Sequence, residues 1–145
     1  MTGGPIRPGR PEDALACATI LNEWIDSREW MPRVHTSKEV EAFYRDFVFE
    51  TRAVWVIGDP VAGFMAMDEA AGQVTALYVR MPGQGLGKAL LDYAKSGRAR
   101  LELWTFEANR GARRFYRREG FKEIRRTDGD NEEGLPDVLL EWRAS

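Results

Sequence analysis

One cysteine, Cys17, and one histidine, His35, stand among 145 residues. A lone cysteine excludes an internal disulfide framework and any zinc site built on several thiolates, and a lone histidine argues against a histidine-rich metal site. Lysine and arginine number 21 against 23 acidic residues, a formal charge of −2, so overall charge does not suit a nucleic-acid binder. No apolar run approaches the roughly 20 residues that a bilayer-spanning helix needs. Met1 to Arg10 lack the apolar stretch of a secretory signal. A cytoplasmic protein with no nucleic-acid or membrane partner is expected.

What remains is a folded composition, 43% apolar and 30% charged. The length suits a single domain spanning residues 1–145, with enough chain to bury a core.

Ile6-Arg7-Pro8 reads as a short edge strand, since prolines cannot pair in a sheet centre. Pro11 suits a first helical turn, and Ala14, Cys17, Ala18, Leu21, Trp24 and Ile25 then form one apolar face, with Cys17 a buried structural thiol. The stretch Ser27 to Thr36 breaks the period and reads as a loop rich in apolar residues. Thr36 or Ser37 caps a second helix, Glu39 lies near capping-box spacing, and Val40, Phe43, Tyr44 and Phe47 make its buried stripe. Strands follow at Ala53–Ile57, Val61–Met67 and Gln73–Val79, the first two joined through Gly58-Asp59-Pro60. A helix to about Ser96, a strand at Leu101–Phe106, a helix from Asn109 to near Gly120 and strands at Phe121–Arg126 and Val138–Trp142 complete the chain. The order β-α-α-β-β-β-α-β-α-β-β describes an α/β (α+β) protein with a mixed sheet and helices packed against it.

Chemistry concentrates at Leu77-Tyr78-Val79-Arg80-Met81-Pro82-Gly83-Gln84-Gly85-Leu86-Gly87-Lys88. A strand enters a turn of glycines and proline and leaves as a helix. The first helical N–H groups lack partners, the dipole there is positive, and glycine admits a close backbone approach, so the turn suits a phosphate or pyrophosphate. It is neither a P-loop, because the first glycine of that pattern falls on Pro82 and Ala89 replaces the hydroxyl residue, nor a dinucleotide fingerprint, because Lys88 or Leu90 stands where a glycine belongs.

A second element is Asn109-Arg110-Gly111-Ala112-Arg113-Arg114-Phe115-Tyr116. Asn109 ends a strand and can cap the next helix, and Tyr116 lies close to two turns on, roughly 10 Å along the same face. Ligands of open α/β sheets collect beyond the carboxyl ends of strands. If the two strands are neighbours, Tyr116 points into the crevice between them.

These two elements, N-x-x-A-x-x-F-Y-x-x-x-G-F from Asn109 to Phe121 above all, resemble the GNAT superfamily of acyl-CoA N-acyltransferases over nearly the whole chain. The glycine loop departs from the family's usual [QR]-x-x-G-x-[GA]: Pro82 stands at the Gln/Arg place, and the loop is short. The resemblance implies an N-acetyltransferase that moves acetyl from acetyl-CoA, its co-substrate, directly to an amine through a tetrahedral intermediate. Cofactor contacts carried over are Leu77, Tyr78, Val79, Gln84, Gly85, Leu86, Gly87, Lys88, Ala89, Asn109, Ala112, Arg113 and Tyr116. Of these, the N–H groups of Gln84 to Ala89 would hold the pyrophosphate. The Val79 N–H would stabilise the oxyanion, Asn109 would contact pantetheine or the reacting region, and Tyr116 would protonate the thiolate. Trp30, His35, Trp104, Glu107 and Glu133 are candidates for the acceptor side, where the acidic Thr127–Pro136 loop favours a cationic amine. A small-molecule, peptide or protein amine and a homodimer are all admitted. The alternatives are a non-catalytic acyl-CoA-binding or regulatory domain and an unrelated phosphate-binding domain.

Overall fold

The computed structural model describes residues 5–145. The reading of Met1 to Arg10 as lacking a leader therefore lies partly outside the described residues. Among these residues seven strands form one sheet in the order β1-β2-β3-β4-β5-β7-β6. They are β1 (Ile6–Pro8), β2 (Ala53–Ile57), β3 (Gly63–Asp68), β4 (Gln73–Val79), β5 (Arg100–Phe106), β6 (Lys122–Thr127) and β7 (Asp137–Arg143). The proline-bearing β1 lies at an edge, as the missing N–H groups require.

Alternation along β3 divides the core. Phe64 and Ala66 face one side with α1 (Ala14–Asp26) and α2 (Ser37–Phe43), where Cys17, Ala18, Val40 and Tyr44 pack. Met65 and Met67 face the other, against Leu90 and Leu91 of α4 (Leu86–Lys95) and Tyr116 of α5 (Arg110–Arg118). Burial pushes the Cys17 thiol up to about 12, which leaves it an unreactive packing group at neutral pH.

Thr36 caps α2 by accepting from the Glu39 N–H while Glu39 accepts from the Thr36 N–H, a complete capping box. The expected stripe of that helix needs correction. Phe43 and Phe47 are 53% and 40% exposed, whereas Val48 is buried with Val40 and Tyr44. After α2 the chain makes a π-helical turn, Tyr44–Val48, before the short α3 (Phe49–Thr51). The extra residue in that turn rotates Phe47 outward and brings Val48 in. Phe43 and Phe47 stack on each other at 5.0 Å outside the core. The third strand also starts later than expected: Val61 is buried but belongs to the turn before Gly63.

The loop from Ser27 to Thr36 is tied down by a buried amide. Asn22 donates to Ser37 O and accepts from Arg33, which also bonds Asp26 and the His35 carbonyl.

Among the described residues β4 and β5 are the only parallel neighbours, and they pair at one position, Gln73 with Glu102. Next to that point the β3–β4 register jumps, leaving Thr75 as an extra residue whose hydroxyl bonds Ala66 O. Such a bulge bends its strand, and here β4 leaves β5. Beyond it, Thr75 to Val79 and Leu103 to Phe106 flank an open gap.

Candidate active site

The Arg80 N–H donates to Ala62 O across β3. Backbone donors alternate sides along a strand, so the N–H groups of Leu77 and Val79 face the gap. Tyr78 packs instead with the α1 face of the sheet, and Leu77 and Val79 with the α4 face. The gap thus opens into a cleft of about 1030 Å³ that reaches both faces.

At its α4 end, Gly83 and Gly85 have φ of +86° and +75°, the left-handed region that glycine enters without strain. These turns present the N–H groups of residues 83–88 with no backbone acceptor among the described residues. Gln84, Gly85, Leu86, Gly87 and Lys88 all line the cleft. Ala89 does not: its N–H already donates to Gly85 O at 3.0 Å, as the fourth residue of a helix must. Pro82 lines the loop without a donor. The Lys88 ammonium is held by Glu119 at 3.0 Å and Asp92 at 3.2 Å, so it ties α4 to α5 and only its backbone is free.

Asn109 caps α5 through Oδ1, which accepts from the Ala112 N–H at 3.2 Å, and its amide edge lies on the cleft. Ala112 and Tyr116 share that lining. Arg113 does not: one residue past Ala112 it is turned about 100° round the helix. It bonds Glu107 O and approaches Glu123. Among the arginines of α5, Arg118 reaches the cleft. Tyr116 is 8% exposed, and its hydroxyl has no protein partner among the described residues. Because no fully enclosed side-chain oxygen among the described residues is left without one, that hydroxyl keeps contact with the cleft. Burial, and then the neighbouring Tyr78, raise its pKa above the ordinary value.

On the α1 face four rings arch over the gap. Tyr78 of β4 meets Trp24 at 5.2 Å, Trp24 meets Trp30 at 5.8 Å, and Trp30 meets Phe106 of β5 at 5.8 Å. Trp24, Tyr78, Trp104 and Phe106 line the cleft, and Trp30 stands behind them as a buttress. Burial pushes Tyr78 up to about 12, with the charge of Glu133 adding to the effect. Glu133 and Asp130 line this half. Glu107 is turned outward to Arg126 at 3.3 Å.

His35 is exposed and also off the cleft, because its Nε2 meets Glu132 at 3.0 Å and so joins the α1–α2 loop to the β6–β7 loop. That bond raises the His35 pKa from its ordinary 6.5. The attraction is full below 6.5 and lost as pH rises through the raised value. Following the His35 ring by NMR should show titration above 6.5, and Glu132→Gln should bring the midpoint down; an unchanged midpoint refutes the contact.

Trp24, Arg28, Phe106 and Arg125 line the site without having been singled out by sequence. Trp24 reads there as part of an apolar helix stripe, and nothing local marks Arg28 or Arg125.

The acetyltransferase (GNAT) domain family matches residues 50–123. YjaB from Escherichia coli, solved in its apo form in solution, is 26% identical, with 97% of this chain and 98% of that chain covered and a TM-score of 0.78. Salmonella typhimurium yncA, solved with its cofactor acetyl-CoA, is 20% identical over 97% and 94%, with a TM-score of 0.69. Ard1 from Thermoplasma volcanium is 18% identical over 99% of each chain, with a TM-score of 0.74. No curated protein matches the sequence.

Proposed function

Because the chain belongs to the GNAT acetyltransferase family, we propose that it moves an acetyl group from acetyl-CoA to an amine acceptor. The observation that carries this reading is the gap between β4 and β5, with unpartnered N–H groups at one end and the Tyr116 hydroxyl within it. On this reading residues 1–145 act as one domain in the cytoplasm, on a small-molecule amine or on a peptide or protein amine, singly or as a homodimer. Among the described residues no helix is long and apolar enough to cross a membrane.

Acetyl-CoA supplies an activated thioester carbonyl. The N–H groups of residues 83–88 cradle its pyrophosphate at the start of α4, while Pro82 gives nothing. The Leu77 N–H and the free amide edge of Asn109 face the pantetheine, and Arg118 is placed for a further phosphate. The Val79 N–H donates to the carbonyl oxygen as negative charge grows on it, a contribution of about 3–4 kcal/mol for one such donor. The C–N bond forms first, giving a tetrahedral oxyanion, and its collapse breaks the C–S bond. Tyr116 gives its proton to the sulfur, and the acceptor nitrogen releases one in exchange. A buried phenol stays protonated at neutral pH and so holds a proton to give, and the same dry surroundings make a nascent thiolate more basic. Of the candidate bases His35, Glu107 and Glu133, Glu133 alone lines the cleft.

Pro82 favours a second reading, a non-catalytic acyl-CoA-binding or regulatory domain. Thermal unfolding separates them in two steps. CoA at a hundredfold excess over its Kd contributes about 2.7 kcal/mol and should raise Tm by several degrees, whereas ATP and NAD should not. Thiol release from acetyl-CoA with a panel of amines then supports the enzyme. Stabilisation with no release from any amine supports the second reading, and no stabilisation rejects both.

A further inference from the structure

The acceptor half of the cleft holds charges of both signs that do not neutralise one another. Arg28 lines it with its guanidinium 5.3 Å from the Trp24 ring, and Nη1 donates to Ser27 Oγ at 2.7 Å. Arg125 lines it from β6, 5.2 Å from the Trp104 ring. Neither makes an ion pair among the described residues. Glu133 and Asp130 line the same cleft, also without a cationic partner. The third acid there, Asp137, is already held by Thr127 Oγ1 and by Asn131 Nδ2.

Elsewhere in these elements several opposite charges close on each other. Arg33 meets Asp26, His35 meets Glu132, and Arg126 meets both Glu107 and Glu123. The cleft charges are kept apart beyond ion-pair distance, with the rings of Trp24, Tyr78, Trp104 and Phe106 among them. Apolar walls strengthen the attraction of each charge for a ligand group. A simple amine would satisfy the carboxylates and leave two guanidinium groups without counter-charge. A guanidinium fork on a ring face is suited to a planar carboxylate.

We infer that the acceptor is an amine bearing a carboxylate on the same molecule, a free amino acid in its simplest form, with Arg28 reading the carboxylate and Glu133 the ammonium. The inference rests on the acyl-transfer reading above. Nitrogen is the reacting atom: the bound ammonium first gives up a proton to solvent, the neutral amine then attacks, and the carboxylate is unchanged by the reaction. Arg125 supplies a second positive wall.

The test is thiol release from acetyl-CoA with L-amino acids, each beside its decarboxylated amine and its amide. Wild type should prefer the zwitterion over both by about 10–100-fold in kcat/KM, the range expected for a charge-assisted contact. Arg28→Gln should bring that preference within about threefold while CoA still stabilises the fold, and Arg28→Lys should restore part of it. Glu133→Gln should raise KM for zwitterion and plain amine alike. Equal or better use of the decarboxylated amines by wild type, or a preference that survives Arg28→Gln, overturns the inference. If no amine is acetylated, calorimetric titration of the same amino acids into the CoA-loaded protein decides. Binding lost in Arg28→Gln upholds the ligand class and rejects transfer, and no binding overturns both.

Discussion

Replacing Tyr116 with phenylalanine is expected to lower turnover about 10²–10⁴-fold, the usual contribution of a positioned general acid, while leaving CoA affinity near wild type. The substitution removes one oxygen and little else. That hydroxyl bonds no protein group among the described residues, so no buried partner is orphaned. The ring stays packed between Phe115 at 5.2 Å and Phe121 at 5.5 Å, and the unfolding midpoint should hardly move. The loss should appear in kcat and kcat/KM together, as for a contact made only in the transition state. Because burial raises the phenol above its ordinary 10, wild type should show no loss of rate from Tyr116 between neutrality and pH 10. Unchanged turnover in the variant, or an alkaline limb near neutrality that the variant lacks, would remove Tyr116 from this role.

Leu90→Ala should destabilise the protein by about 2–5 kcal/mol, a large share of the roughly 5–15 kcal/mol that a domain possesses. Leu90 is fully buried on α4, in the cluster that holds Met65, Leu101, Leu103 and Tyr116. Truncation leaves a cavity between the helix and the sheet, at the helix whose first turn forms the phosphate cradle. Urea unfolding measures the loss directly, and the variant should also bind CoA more weakly than its folded fraction alone explains. Phe43→Ala is the informative contrast. The sequence stripe places that ring inside, whereas at the end of α2 it lies half in water, and the cost should stay under about 1 kcal/mol. Equal losses in the two variants would contradict the observed register.

Local chemistry made much of the fold and half of the site readable in advance. Pro8 in the first strand, the Thr36–Glu39 box and the Asn109 cap each act within a few residues of chain. The same holds for the glycine loop, since Gly83 and Gly85 are needed for backbone angles set on the spot. The spacing from Asn109 to Tyr116 places both on one helix face whatever lies outside it.

Tertiary structure decided what that local code leaves open. The single pairing of Gln73 with Glu102 and the bulge at Thr75 create the gap, because strand divergence depends on three strands together. Packing of Phe115 and Tyr116 sets the rotation of α5, which turns Arg118 to the cleft and Arg113 away. One extra residue in a helical turn, invisible to a 3.6-residue period, moved Phe47 to the surface. Trp24 with Arg28, Trp104 and Glu133 come from three separate parts of the chain, and their meeting is a property of packing that no spacing encodes.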